Sequence, residues 1–374
     1  MKWTQRFFIG CMVLSLPIAL FGIAKENAQQ TAPKNAAVSH KTRQTRPIQL
    51  GVSGGSIVDL ANGYCCSGTL GCLVKDSLGT QYILSNTHVF AGDTVPGGNG
   101  KVSAVGDPIN QPGYVDVQCH NLASDYVAHL SAWSPLVPNG TTTVDAAIAQ
   151  VIPGKVDSTG RILEIGTISN KPLGAKLKQK VKKSGRTSGL TQGSVYALNA
   201  SVVVSYTNEC AGQVFTTTLN NQILVTPGSF IQPGDSGSLM VENVSKTPRP
   251  IGLLYAGSSS IAVAMPIQTV LNQFSVTIVG MSTPELEETL LSQEVVNAFA
   301  IQEKYAEVLM RVENAVGHAV TISENDPSCP VIVLLVEKVT EAVLEQAPKM
   351  VDGLVVEIKE VGKLTAYPCL ETRI

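Results

Sequence analysis

Gly234-Asp235-Ser236-Gly237-Ser238 reads GDSGS, and the chemistry of a serine in such a turn decides the reading of the whole chain. A serine hydroxyl is a poor nucleophile until a base takes its proton and donors hold the oxyanion it creates. The glycines let the backbone curl, which allows the N–H groups of Gly234 and Ser236 to face one concavity. The base must come from elsewhere. Upstream, residues 82–89 read YILSNTHV: an apolar strand runs into a polar turn that carries His88, and a strand end is a rigid platform for a base. Alone, such a histidine is more often structural. Between the two, Val144-Asp145-Ala146-Ala147-Ile148-Ala149 sets a carboxylate at the head of a small-residue strand. Small neighbours permit burial of Asp145 beside an imidazole, where it fixes the tautomer and stabilises the imidazolium. The order is His, Asp, Ser, with gaps of 57 and 91 residues. Asp116, only 28 residues after His88, is the rival acid and is disfavoured on that spacing.

The rest of the chain bounds what such a site can serve. Its 374 residues, 44% apolar and 15% charged, are enough to bury two domains. A net charge of −2 argues against a nucleic-acid partner. The charge is uneven: residues 1–50 carry seven Lys/Arg against one acid, 51–283 carry 13 and 12, and 284–374 carry 7 and 16. That pattern fits a basic leader, a neutral body and an acidic C-terminal module. Lys2 and Arg6 precede an apolar run over 7–24, with small residues at Gly22 and Ala24, so residues 1–24 read as a signal peptide. Retention of this segment as an anchor is the alternative, and it is the only membrane contact expected. Residues 25–50 read as a flexible linker, too poor in hydrophobic residues over 25–47 to fold.

An exported chain, periplasmic or secreted, permits disulfides. Cys65, Cys66, Cys72, Cys119 and Cys210 lie in the body, an odd number that leaves at least one unpaired, and Cys329 and Cys369 are a candidate pair in the C-terminal module. No paired CxxC or His-rich cluster completes a metal site, so neither metal nor cofactor is expected. From 51 to 283 short β-rich runs alternate with Gly, Asn, Pro and Ser, as in an all-β barrel or sandwich. After Thr283-Pro284 the pattern changes. Helical periodicity over 285–312, an extended segment at 319–323, strands at 331–336 and 354–358 and a helix over 340–350 make a small α/β domain over 284–374.

The segments SNTHV, DAAIA and GDSGS together resemble the three catalytic blocks of the chymotrypsin/trypsin-like serine proteases, over residues ~60–275. The resemblance implies a chymotrypsin-like double β-barrel over 51–283, with His88 as general base, Asp145 as its orienting acid and Ser236 as nucleophile. Gly234 and Ser236 N–H groups would form the oxyanion hole. It implies a serine endopeptidase with a protein or peptide substrate; a protease-like scaffold or binding protein without turnover is the alternative. Phe230 would sit near the base of the primary pocket and Pro233 beside the hole. Tyr255 and Gly257 would line the strand that pairs with substrate backbone. With no Asp at the pocket base, a small or apolar residue is expected at the cleavage site rather than Lys or Arg.

Asp235, buried beside the nucleophile, needs a cation or strong donors. Lys183-Ser184-Gly185-Arg186-Thr187-Ser188-Gly189 resembles a block of bacterial secreted members in which an arginine takes that part, so Arg186 is the expected partner of Asp235. The lysines of 176–183 read as the solvated face of a strand. GYCCSGTLGCLV over 63–74, QPG over 111–113 and PGDSGS over 233–238 resemble more narrowly a bacterial subgroup related to the plant narrow-leaf-type proteases. His318 and Asp326 lie eight residues apart but lack a nucleophile partner, so the C-terminal domain reads as a docking, regulatory or assembly module. Oligomeric state is not legible.

Overall fold

The computed structural model describes residues 39–94, 100–120, 122–284, 291–323, 326, 329–366 and 372–373. The leader, most of the linker, Cys369 and the first residues of the 285–312 helix lie outside them. Residues 39–374 form one compact unit.

The first barrel uses the strands Val52–Ser56, Gly68–Leu70, Cys72–Lys75, Gln81–Ser85, Pro108–Asn110, Tyr126–Trp133 and Ala147–Val151. Its closure depends on one glycine. Gly68–Leu70 pairs with Val52–Gly54, while Cys72–Lys75 pairs with Gln81–Leu84. Gly71 lies between, so a single run of chain bends from one neighbour to the other and joins the two ends of the sheet. A Cβ on Gly71 would collide with the Gly237 carbonyl oxygen, which places the bend directly against the GDSGS turn.

The second barrel is a closed ring of six antiparallel strands. Lys180–Gly185 pairs with Gly189–Thr207, which pairs with Val214–Thr226; that strand pairs with Ala262–Pro266. Ala262–Pro266 then pairs with Pro250–Gly257, Pro250–Gly257 with Leu239–Glu242, and Leu239–Glu242 returns to Lys180–Gly185. Inward-pointing Val195, Val225, Phe230, Met240, Ile251 and Leu254 fill part of its interior, as alternation along barrel strands requires. The disulfide Cys66–Cys210 ties the first barrel to the second, and Cys65–Cys119 staples the first to its own loop. Cys72 stays a buried thiol, and burial pushes it up to about 12, so it is a packing residue rather than a reactive one.

The C-terminal segment adds a layer without starting a new sheet. Ala315–Ile322 pairs with the outer part of Gly189–Thr207, Leu198 opposite Val320 and Ser201 opposite His318. Pro330–Val336 and Leu354–Glu360 follow, parallel to each other, with the helix Glu341–Gln346 in the crossover that parallel strands require. The helix Gln293–Lys304 is capped by Ser292, whose side chain accepts from the Val295 N–H. It packs Val295 and Ala298 against Val320. The expected helix over 285–312 is broken at Tyr305, after which Ala306–Met310 forms a separate turn. Among the described residues no helix is long and apolar enough to cross a membrane.

The linker expected over 25–50 ends early. Ile48 and Leu50 are fully buried, and Arg43 grips Asp125 through two hydrogen bonds of 2.6 and 2.7 Å. His40 is held between Gly51 O and Glu164 Oε2. From about His40 the chain belongs to the first barrel. The low hydrophobicity of the stretch misled here because His40, Arg43 and Arg46 anchor the chain through charged and polar side chains.

Candidate active site

His88 lies in the one-turn helix Thr87–Phe90, just after the strand Gln81–Ser85. Asp145 heads the strand Ala147–Val151, which pairs with Gln81–Ser85 with Ala147 opposite Ser85. The register therefore brings the two sequence blocks side by side. His88 Nδ1 is 2.6 Å from Asp145 Oδ2, and the His88 backbone N–H donates to Oδ1 at 3.3 Å. Thr87 Oγ1 donates to Ser134 O and Ala146 O, and Asn86 Nδ2 donates to Asp145 O. Asp145 is fully buried. Two further side chains close over it: Tyr206, which no sequence motif marks, and Tyr255, expected instead to line the strand that meets substrate. Tyr206 sets its ring edge-on to His88 at 5.8 Å. Burial first, and the Asp145 charge second, push the phenols of Tyr206 and Tyr255 well above the ordinary tyrosine value. Both stay neutral. Tyr255 thus turns its side chain inward, and only its backbone lies on the strand expected to meet substrate.

Ser236 comes from the second barrel, between two glycines at positive φ, Gly234 (+93°) and Gly237 (+92°). Side chains there would strike Arg186 and Thr187 at the first position and Ser85 and Thr69 at the second. The turn is thus held against both barrels. Thr69 makes the join: its N–H donates to Ser236 O at 2.9 Å and its Oγ1 donates to Gly234 O at 2.9 Å. The Arg186 N–H donates back to Thr69 Oγ1. Gly237 N–H donates to Leu254 O, fixing the far side. Ser236 Oγ donates to Tyr255 O at 3.1 Å, and His88 Nε2 is enclosed without a hydrogen-bond partner. The structure therefore forms the His88–Asp145 link and holds Ser236 off His88, in a rotamer turned to the Tyr255 carbonyl.

His88 and Asp145 come from the first barrel and Ser236 from the second, meeting at the junction. This is the chymotrypsin-like serine protease fold. Residues 142–275 match the family described as Nal1 C-terminal domain, a stretch that begins just before Asp145 and includes the whole GDSGS turn. Among solved structures the chain is similar to a glutamic acid specific serine protease, at 17% identity and a TM-score of 0.40, over 62% of this chain and 100% of that one. It is also similar to Nocardiopsis protease, at 16% identity and 0.38, over 60% and 97%. Thermobifida fusca Protease A matches at 15% identity and 0.39, over 63% and 99%. No curated protein matches the chain.

The expected Arg186–Asp235 pair is not the one formed. Arg186 makes a two-pronged pair with Asp116, Nε to Oδ2 and Nη2 to Oδ1, both at 2.7 Å. Asp116 also accepts from Ser53 Oγ and is spent there, away from His88. The partner of Asp235 is Lys183, Nζ to Oδ2 at 2.9 Å, with both side chains fully buried. Asp235 accepts as well from the N–H groups of Thr187, Ser188 and Gln232 and from Ser188 Oγ. Strand alternation explains the choice. Lys183 and Gly185 share one face of Lys180–Gly185, and a Cβ on Gly185 would lie 2.7 Å from Asp235 Oδ1. Arg186 falls past the strand end and reaches across to the first barrel. Lys183 is therefore no part of a solvated lysine face, and Lys182 is likewise buried.

Phe230 is sealed in the core of the second barrel, so it packs rather than lines a reachable pocket. Pro233 is half-buried beside the turn, its carbonyl accepting from Thr187 Oγ1 at 2.6 Å. His318 is buried, with Gln302 Nε2 2.8 Å from its Nδ1. Burial lowers it to about 4, so it stays neutral and structural. Asp326 accepts from Cys329 Sγ in a turn.

A small cavity beside His88 is lined by Asp59, Cys66, Tyr206, Glu209 and Cys210. Burial pushes the Asp59 carboxyl up to about 8, the Asp93 charge adds to this, and a backbone hydrogen bond from Cys210 opposes it. In the unfolded chain this group titrates near 4. Between those two values folding takes up a proton, so stability present at acid pH is lost as pH rises from about 4 to about 8. Asp59→Asn cannot ionise. Urea midpoints at pH 5 and pH 8 should show the variant gaining on the wild type by roughly 2–4 kcal/mol at the higher pH. Parallel pH profiles for the two proteins would show Asp59 ionised in the fold.

Proposed function

We propose that the protein is an exported serine endopeptidase acting through an acyl-enzyme on Ser236. One observation carries this: an oriented, buried His88–Asp145 pair faces a serine on a two-glycine turn at a barrel junction. A mere scaffold needs no such pairing. The reaction requires Ser236 Oγ to turn from Tyr255 O to His88 Nε2. His88 then accepts the hydroxyl proton while Oγ attacks the substrate carbonyl. The N–H groups of Gly234 and Ser236 hold the oxyanion, and imidazolium formation is stabilised by Asp145. His88 returns the proton to the leaving amine, and water releases the acyl group by the same path. Every group needed is a side chain or backbone N–H of this chain, and the substrate is a protein or peptide. Export is supported by the leader pattern over residues 1–24 and by two disulfides, which persist in oxidising compartments.

The alternative, a protease-like scaffold without turnover, has the Ser236–Tyr255 O hydrogen bond on its side. A fluorophosphonate probe separates the two. An adduct on Ser236, absent in Ser236→Ala and slower in His88→Ala, is expected, together with cleavage of casein. A folded protein that neither labels nor cleaves would sustain the scaffold reading.

A further inference from the structure

The strand edge expected to receive a substrate backbone is already covered by the chain itself. Thr365–Ala366 pairs antiparallel with the end of Pro250–Gly257, Ala366 opposite Ala256 and Thr365 opposite Gly257. On its other side Thr365 lies parallel to Ser205, whose N–H donates to Leu364 O at 3.0 Å. Leu364 and Ala366 are buried, and Ala366 lines the cavity that His88, Cys66 and Tyr206 also line. Across the cleft, Thr372–Arg373 pairs antiparallel with Tyr64–Cys65 of the first barrel, Thr372 opposite Cys65.

Register gives this contact its meaning. Ser236 Oγ sits on Tyr255 O, so the residue of a bound peptide opposite Tyr255 is the one whose carbonyl meets the nucleophile. The residues before it in that peptide would lie opposite Ala256 and then Gly257, antiparallel. Ala366 and Thr365 hold those two places, in that order and direction. A peptide substrate needs the same backbone donors and acceptors, because strand addition uses main-chain hydrogen bonds whatever the side chains.

We propose that the C-terminal tail is an intramolecular inhibitor of the Ser236 site, and that substrate gains the Ala256–Gly257 edge only when residues 364–366 are displaced or removed. The inhibitory role rests on the protease reading; the tail's affinity for the edge does not. A tethered segment competes at an effective concentration in the millimolar range, so even a weak contact shuts out dilute substrate.

The test compares the full chain, a chain ending at Lys363, and the full chain carrying Ala366→Asp, which sets a charge in the buried tail position without shortening anything. Cleavage of a peptide library and binding of a fluorescent synthetic peptide of residues 363–374 are the two readouts. Both altered chains should gain about tenfold or more in kcat/KM, mostly through KM. The peptide should bind the shortened chain, not the full one, and compete with substrate. Equal kcat/KM in all three proteins overturns the proposal, as does a peptide that binds neither chain. Tight peptide binding with no labelling of Ser236 in any of the three would instead sink the protease reading, and the inhibitory role with it. If the shortened chain does not fold, Ala366→Asp alone decides.

Discussion

Lys183→Met is expected to cost about 3–5 kcal/mol of folding stability, the range for stripping one partner from a buried ion pair. Lys183 and Asp235 are both fully buried, so water cannot replace the lost ammonium. Burial already pulls Lys183 below its ordinary value, while Asp235 pulls it back up. The neutral donors from Thr187, Ser188 and Gln232 would remain on Asp235 but cannot balance its charge. The loss should therefore fall on the turn that carries Ser236, and fluorophosphonate labelling should drop with it. Pairing the change with Asp235→Asn should recover part of the stability, since removing both charges is far milder than removing one. Urea midpoints of the two single variants and the double variant measure this directly. A Lys183→Met protein as stable as the wild type would refute the pairing. Arg186→Ala should cost stability through a different contact, the Arg186–Asp116 bridge between barrels, and its effect should be close to additive with Lys183→Met.

That Lys183 rather than Arg186 serves Asp235 shows where sequence reading reaches its limit. The content and order of the three blocks were legible because chemistry demands those residue types, and the fold brings His88 and Asp145 together as expected. The need of Asp235 for a cation was legible too. Which cation answers it depends on strand parity, and that requires knowing where Lys180–Gly185 ends. The alternation Lys183, Gly185 was a usable signal, since a glycine two residues from a lysine in a strand marks the face that something else approaches closely. Thr69, which bonds both barrels, and Tyr206, against His88, had no local pattern to betray them, because their partners lie 165 and 118 residues away in sequence. The C-terminal strands were legible from apolar runs. Their continuation of the barrel sheet was not, because edge pairing between distant strands leaves little trace in either strand's composition. Phe230 read as a pocket residue by position alone, whereas its burial follows from the second barrel's need to fill its interior.

Asp145→Asn should lower the rate of Ser236 acylation by about 10⁴ while barely changing the fold. The two side chains are close in shape. In the wild type the carboxylate accepts from His88 Nδ1 at 2.6 Å, which leaves Nε2 unprotonated and ready to take the serine proton. An asparagine amide turned toward the same nitrogen donates instead and drives the ring proton onto Nε2, where it blocks the transfer. Labelling rates and melting midpoints, measured on wild type and variant in the same tail background, separate chemistry from folding: the first should collapse and the second should move by little. Asp116→Asn supplies the contrast. Asp116 holds Arg186 through two 2.7 Å bonds, so its loss should fall on stability, with labelling retained in whatever fraction stays folded. If the two variants exchanged these behaviours, Asp116 would be the acid that orients His88, and the register that sets Ala147 beside Ser85 would no longer account for the site.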